Sequence, residues 1–504
     1  MVGLFAILIL YITVTGGFAQ AEKFAGDMTF IASNSEILAD SIPPDDTGMR
    51  NLTSVQLAKE MVPGWNVGNS LEAIGGETAW GNPRITQTLI DSIKAAGFKS
   101  VRIPVAWSNG MDNSTYAISP TLLSRVEEVV SYVLKDSLYA IINVHWDGGW
   151  MQPTYAKQDY VNNRLAVLWQ QIAVHFRDYD DHLIFAGTNE VMAEGDYGAP
   201  KAEYHTVQNS YNQTFVTTVR STGGRNGYRH LAVQGFNTNI NYTVSYFAKP
   251  ADVIANRLMV EVHYYDPYNF TLNQNSSITQ WGKNATVPSK TETWANESYA
   301  DAQFKKMKTK FIDSGYAVLL GEYGAIARLN LGSDALNAEH AEFRRYYVEY
   351  VTGSMVKHGL VPVIWDNGYT GNNGLGLFSR STGGQVYRAI IKSITDAVEA
   401  NNPGTDVGLL QSSPIPAKFA LQQNYPNPFN PSTTISFSLP APSYVTLTVH
   451  NILGDKVATL IDGRKKITGQ HEITFDAADL SSGMYFYELN AGEYKSLKKM
   501  LLIR

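Results

Sequence analysis

The 504-residue sequence has no cysteine, which excludes disulfides, thiolate nucleophiles and zinc–thiolate sites. Charge is sparse, at 17% of residues, and the formal net charge of −6 offers no basic face to nucleic acid. Beyond the first twenty residues no apolar run is long enough to span a bilayer. There is no HExxH and no close histidine pair, so neither metal nor cofactor is expected. Asp178-Tyr179-Asp180-Asp181 lacks calcium-loop spacing and reads as a solvated turn. What the chain does have is rings: 29 Tyr and 9 Trp, a balance that suits flat, weakly charged ligands and well-packed enzymes alike.

Residues 1–21 form an apolar run ending in small residues near Ala19 and Ala21, the pattern of a secretory signal peptide, although no Lys or Arg precedes it. Residues 22–50, rich in Ser, Asn, Pro and Asp, read as a flexible lead-in. From about residue 51 the chain alternates. Apolar strands are expected within 64–69, where a strand runs into its loop, and at 100–105, 139–146, 183–190, 231–234, 258–263, 317–322 and 361–365. Helices with apolar residues three and four apart fill the intervals, as at Leu122, Val126, Val129, Val130 and Val133. Eight strand–helix units in series predict a (β/α)8 TIM barrel over 51–400. A doubly wound sheet would more readily carry a Gly-rich phosphate loop after its first strand, and none is present.

Two of these strands share one grammar. Leu183-Ile184-Phe185-Ala186 runs on through Gly187-Thr188-Asn189 to Glu190, and Ala317-Val318-Leu319-Leu320-Gly321 runs to Glu322. Continuous apolar character marks a strand covered on both faces. In a parallel barrel the C-terminal strand ends share the face where chemistry is done. Two carboxylates would meet there.

After Ala400 the texture changes. Pro, Ser and Gly mark a linker over 401–418, and short alternating strands from Phe419 to Arg504 predict a small all-β sandwich.

On these residues the chain resembles glycoside hydrolase family 5, its cellulase-like members in particular. The motifs are Gly64-Trp65-Asn66-Val67-Gly68-Asn69, Val101-Arg102-Ile103-Pro104, Asn143-Val144-His145-Trp146, Asn189-Glu190, His263-Tyr264-Tyr265-Asp266-Pro267, Gly321-Glu322-Tyr323-Gly324 and Ile364-Trp365-Asp366. They span about residues 53–398, each at a strand end; Val191 stands where many relatives carry proline. The resemblance implies a retaining hydrolase with Glu190 as acid/base and Glu322 as nucleophile. Glycoside cleavage needs one carboxyl to give a proton and another, ionised, to attack.

Donor inventories assign supporting roles. Arg102 would hold Glu322 ionised and oriented, Tyr265 would hydrogen-bond Glu322, and Asn189 would donate to the sugar 2-hydroxyl. His145 and His263 would bind hydroxyls and keep Glu190 polarised. Trp365 would form the stacking floor. By family analogy Asn69 would contact sugar on the non-reducing side. Trp80, Trp107, Trp146, Trp150, Trp281 and Trp294 are candidates for flanking subsites or for packing.

The C-terminal module resembles the type A sorting domain of bacterial type IX secretion. Its motifs are Asn424-Tyr425-Pro426-Asn427-Pro428-Phe429-Asn430-Pro431, Val449-His450-Asn451-Ile452-Leu453-Gly454 and Ser482-Gly483-Met484-Tyr485-Phe486-Tyr487, with His450 in place of the usual aromatic. A carbohydrate-binding sandwich is the rival reading, but the module has no Trp for a sugar platform.

Together these point to a secreted or cell-surface bacterial endo-β-1,4-glucanase, a monomer whose partners are β-glucan and the type IX machinery. Xyloglucan, lichenan, mannan and xylan are the neighbouring substrates. A non-catalytic glycan-binding barrel is the competing class.

Overall fold

The structure, a computed structural model, describes residues 41–402, 418–440, 443–466, 469–478 and 480–503. It divides into two units near residue 403. The expected signal peptide lies outside the described residues, as does nearly all of the expected linker.

In the first unit β1 (Gly64–Asn66), β2 (Ser100–Ile103), β3 (Tyr139–Asn143), β4 (Leu183–Ala186), β5 (Leu231–Asn239), β6 (Leu258–Tyr264), β7 (Ala317–Tyr323) and β8 (Val361–Ile364) form a closed barrel in chain order. All neighbours are parallel, and β8 returns to β1. The helices between them start where capping allows. Ser119 accepts from the Leu122 amide, Pro120 opens the helix to Lys135, and Val126, Val129, Val130 and Val133 are its buried stripe.

The boundaries differ from the sequence reading where polar residues hide structure. β5 runs on to Asn239, five residues past the expected end at Gln234, because backbone pairing of Asn239 with His263 holds it. A helix over Ile240–Tyr246 follows, capped by Asn239, whose side chain accepts from the Tyr242 amide.

Strand residues alternate between two environments. Val101, Ile103, Ile142, Phe185, Val260 and Leu320 point outward into the main core under the helices. Ile141, Ile184, Ala232, Met259, Leu319 and Val363 point inward and form a separate cluster, closed by Leu57 and Met61.

The segment expected to be flexible is tied down over its last ten residues. The Asp45 amide donates to Gly224 and the Gly224 amide to Pro43. Arg50 pairs with Asp181 at 2.7 Å and Glu60 at 2.8 Å, and donates to the Tyr139 hydroxyl. This also corrects the reading of the acidic turn: Asp181 is buried against Arg50, a partner too distant in sequence to be foreseen.

In the second unit β9 (Ala420–Leu421), β10 (Ser432–Leu439) and β13 (Gly469–Asp476) form one antiparallel sheet. The other contains β11 (Ser443–His450), β12 (Lys456–Lys466), β14 (Gly483–Ala491) and β15 (Tyr494–Leu502). Ile435, Phe437 and Phe475 of the first share one core with Val445, Leu447, Tyr487 and Leu489 of the second, as a sandwich requires. The Asn-rich motifs are turn devices. Asn424 donates from its side chain to Thr433 and to the Pro426 carbonyl, and Asn451 accepts from the Leu453 and Asp455 amides.

Candidate active site

One layer above the apolar plug, the inward positions of the same strands turn polar: Asn66, Arg102, Asn143, Gln234 and Glu261 are all fully buried. Arg102 is the hub. Its Nη1 donates to Glu322 and to Asn66 at 3.0 Å each, its Nη2 donates to Asn189 at 2.6 Å, and its Nε pairs with Glu261 at 2.9 Å. A buried charge so surrounded is tolerable because every partner is a carboxylate or an amide oxygen.

Glu322 enters this layer by a break in the pairing. The register of β7 with β6 slips between Val262 and His263, so that His263 faces Glu322. Pairing of β7 with β8 is interrupted over the same stretch. Such an irregularity re-aims one side chain. Here Glu322 turns toward Arg102, while Tyr323 packs outward with its hydroxyl on Thr352. Gly321 is required at that point, since a Cβ there would collide with the Glu261 carboxylate.

Glu322 also accepts from the Tyr265 hydroxyl at 3.1 Å. Glu190, past the end of β4, accepts from His263 Nδ1 at 2.6 Å, and its side chain remains 41% exposed. One oxygen of each glutamate and a ring nitrogen of His263 all lie within 4.8 Å of one another.

Burial, with the repulsion between the two glutamates and from Glu261, raises the last ionisation of the pair above the ordinary carboxyl range. His263 and Arg102 hold the first below it. Burial opposes a charge on His263, but Glu322, Glu190 and Glu261 outweigh it and raise the imidazole to about 9. Burial, followed by the charges of Arg102 and His263, keeps His145 neutral. Burial and the Glu322 charge hold the Tyr265 hydroxyl protonated, as a donor.

The structure thus brings Arg102, Asn189, Glu190, His263, Tyr265 and Glu322 into one bonded group. His145 joins it differently from the expectation. Its ring nitrogens approach Asn143 at 3.2 Å and Asn189 at 3.5 Å, with no bond to Glu190, and the ring stacks on Trp365 with centroids 5.8 Å apart. Trp365 is fixed from below, because Gly68 leaves no space for a Cβ, which would sit 2.6 Å from the indole. Asn69 lies beside Gly68 with φ of 56°, its amide held by Glu72 and its carbonyl by Asn82.

The tryptophans divide. Trp80, Trp146 and Trp294 are exposed, whereas Trp107 and Trp281 are core residues whose indoles donate to the carbonyls of Asn143 and Ala295. Trp150 is partly buried, bonded to Asp147 and covered by Arg164. Loop position alone could not separate these groups.

Two contributors were missed in the sequence, Glu261 and Gln234. Gln234 donates to Glu261 at 2.6 Å. A lone carboxylate within Met259-Val260-Glu261-Val262 was the available signal, since an unpaired charge cannot sit inside an apolar strand.

A closed parallel barrel with a close pair of glutamates at its C-terminal mouth is the apparatus of a retaining glycoside hydrolase. Residues 66–371 match the Cellulase family, glycosyl hydrolase family 5, and the chain belongs to it. It is 45% identical over 367 residues to a xyloglucan-specific endo-β-1,4-glucanase of Bacteroides ovatus, covering 70% of this chain and 72% of that one. Endoglucanase A of Paenibacillus barcinonensis is 41% identical over 372 residues, covering 70% and 92%. Among solved structures, the Bacteroides ovatus xyloglucanase in complex with the XXXG heptasaccharide aligns with a TM-score of 0.69 at 44% identity. That alignment covers 72% of this chain and 80% of that one.

Residues 423–503 match the Secretion system C-terminal sorting domain. The protein is therefore a secreted or cell-surface bacterial enzyme, addressed by a type IX sorting domain.

Proposed function

We propose that this chain is a monomeric endo-β-1,4-glucanase in which Glu322 attacks the anomeric carbon and Glu190 handles the proton. The observation that carries the reading is the inequality of two carboxyls within 4.8 Å of each other. Glu322 is almost buried and bonded by Arg102 and Tyr265, two donors that favour its anion. Glu190 is more exposed and held by His263 and Thr238, with part of its carboxyl open to face a leaving oxygen.

In the first half-reaction Glu322 displaces the leaving sugar oxygen while Glu190 donates its proton. In the second Glu190 draws a proton from water, which replaces Glu322 on the sugar. Asn189 keeps its Oδ1 on Arg102 and turns its amide nitrogen toward His145 at 3.5 Å, so that its second N–H is the one left for a sugar 2-hydroxyl. Trp365 offers its face to a pyranose, and Asn69 lines the same side. The Bacteroides ovatus relative is named an endo-β-1,4-glucanase and the Paenibacillus barcinonensis one an endoglucanase, and the exposed Trp80, Trp146 and Trp294 would line a groove that holds several sugars.

An endo-acting enzyme lowers the viscosity of a soluble β-1,4-glucan well before reducing ends accumulate. Reducing ends that rise in step with viscosity loss from the start would overturn the endo reading. No hydrolysis across a panel of β-glucans would overturn the whole of it.

A further inference from the structure

The loop after β1 holds a buried carboxylate to which the chemistry above gives no part, that of Glu72. The residue is 3% exposed, and backbone meets its charge. Its Oε1 accepts the Asn69 amide, and its Oε2 accepts the Ser70 amide at 2.9 Å. Two consecutive amides that converge on the two oxygens of one group suit an anion. A neutral carboxyl would have to turn its proton toward a donor.

The contact fixes Asn69. With φ of 56° that residue stands in the left-handed region, which asparagine reaches but seldom occupies. Glu72 takes its amide, and Asn82 Nδ2 donates to its carbonyl at 2.8 Å. Both backbone groups are therefore occupied on the protein side. The half-buried side-chain amide is left for a ligand.

The support reaches Trp365 as well. Arg380, 5% exposed, donates through Nη2 to the Gly68 carbonyl at 3.1 Å, to the Asp366 carboxylate at 3.1 Å and to the Asp366 carbonyl. The Gly68 amide donates to that same Asp366 carbonyl at 3.0 Å. The loop of Asn69 and the strand end of Trp365 are thus joined as one piece, across the barrel from β4. Arg380 is also the charged group that faces Glu72, with Asp366 bonded to the same guanidinium.

We propose that Glu72 is a positioning residue for the sugar on the non-reducing side of the cut, acting through Asn69, which its carboxylate holds ready. The proposal rests on the reading that Asn69 touches sugar. Burial pushes the Glu72 carboxyl up to about 7, against the pull of the Ser70, Glu72 and Asn69 amides and of Arg380. The hold is complete in mild alkali, where the group is charged, and is released as the medium turns acid.

The test follows KM and kcat on a soluble β-1,4-glucan from about pH 8.5 down to about 5.5, on either side of that ionisation. Three proteins are compared: the unaltered enzyme, Asn69→Ala and Glu72→Gln. Acid should raise KM of the unaltered enzyme about threefold to tenfold more than KM of Asn69→Ala, the worth of about one hydrogen bond. Whatever Glu190 and Glu322 add is common to both. Glu72→Gln offers one acceptor oxygen in place of two, so its KM should be raised at all pH values and follow the flatter course, with kcat within about twofold. An equal acid rise in the unaltered enzyme and Asn69→Ala would overturn the proposal, and that comparison stands even where Glu72→Gln does not fold. A folded Glu72→Gln with native KM, or with kcat lowered and KM unmoved, would overturn it too. A native KM in Asn69→Ala at pH 8.5 would instead overturn the sugar contact on which the proposal stands.

Discussion

Inside one barrel, two successive layers are built from opposite materials. Ile141, Ile184, Ala232, Met259, Leu319 and Val363 fill the N-terminal half without a polar atom in their side chains. Two residues further along the same strands stand Asn143, Gln234, Glu261 and the Glu322 region, gathered on Arg102. The first layer stabilises by burial alone and tolerates any filling of equal volume. The second spends stability on desolvated charge, and each of its members needs the others. Fold and chemistry are thus separated by about one turn of strand alternation, and substitutions should tell them apart.

The largest effect belongs to the upper layer. Glu190→Gln and Glu322→Gln each preserve shape and remove one carboxyl function, so turnover should fall by at least ~10²–10⁴-fold, the typical worth of proton transfer alone. Calorimetry should find both variants still folded with one cooperative melting transition, and the larger shift in Glu322→Gln, which leaves Arg102 with one carboxylate fewer. A variant that keeps a tenth of the native activity would break the assignment.

The plug should behave in the reverse way. Leu319→Ala opens a cavity inside the barrel and should cost about 2–5 kcal/mol of stability in urea unfolding, with turnover per folded molecule unchanged. Loss of turnover at temperatures well below melting would show the layers to be coupled.

A smaller effect sharpens the comparison through pH. His263 is raised to about 9 in the folded chain by Glu322, Glu190 and Glu261 against the cost of its burial. An unfolded histidine titrates near 6.5. A raised value means that the folded state holds the proton more tightly. The resulting stability is complete below pH ~6.5 and is lost as pH climbs toward 9, on the order of 1–3 kcal/mol. His263→Asn should flatten that slope in unfolding measured across the window; an unchanged slope would assign the charge elsewhere.

The smallest effect on catalysis concerns the second unit, which has its own core and contributes none of the proposed site residues. Removal of 419–504 should leave kcat/KM within about twofold, since the barrel alone supplies every proposed reacting group. It should abolish passage across the outer membrane. Truncated enzyme in the culture medium at native levels would refute the sorting role.

Most of the barrel could be read from the sequence because both-faced burial writes itself as unbroken apolar runs. Those runs also delivered Glu190 and Glu322 as their terminal residues. What could not be read depends on partners distant in sequence. Glu261 looks like an intrusion in β6 until Arg102 and Gln234 are placed beside it. Asp181 looks solvated until Arg50 arrives from the other end of a long connection. The inward aim of Glu322 needed the slipped register at Gly321, which the one-letter pattern hides: strict alternation would turn Tyr323, and not Glu322, into the mouth. The polar end of β5, Asn237 to Asn239, offered no period by which the strand could be seen to continue past Gln234.

The central claim is that Glu322 attacks the sugar directly, and the anomeric form of the first product tests it. Proton NMR of a soluble β-1,4-glucan, recorded in the first moments after enzyme addition, separates the two outcomes before mutarotation mixes them. Two displacements preserve configuration, so the account predicts the β-anomer first, with the α-anomer growing only at the rate of mutarotation. An initial α-anomer would mean a single displacement by water and would contradict the role given to Glu322.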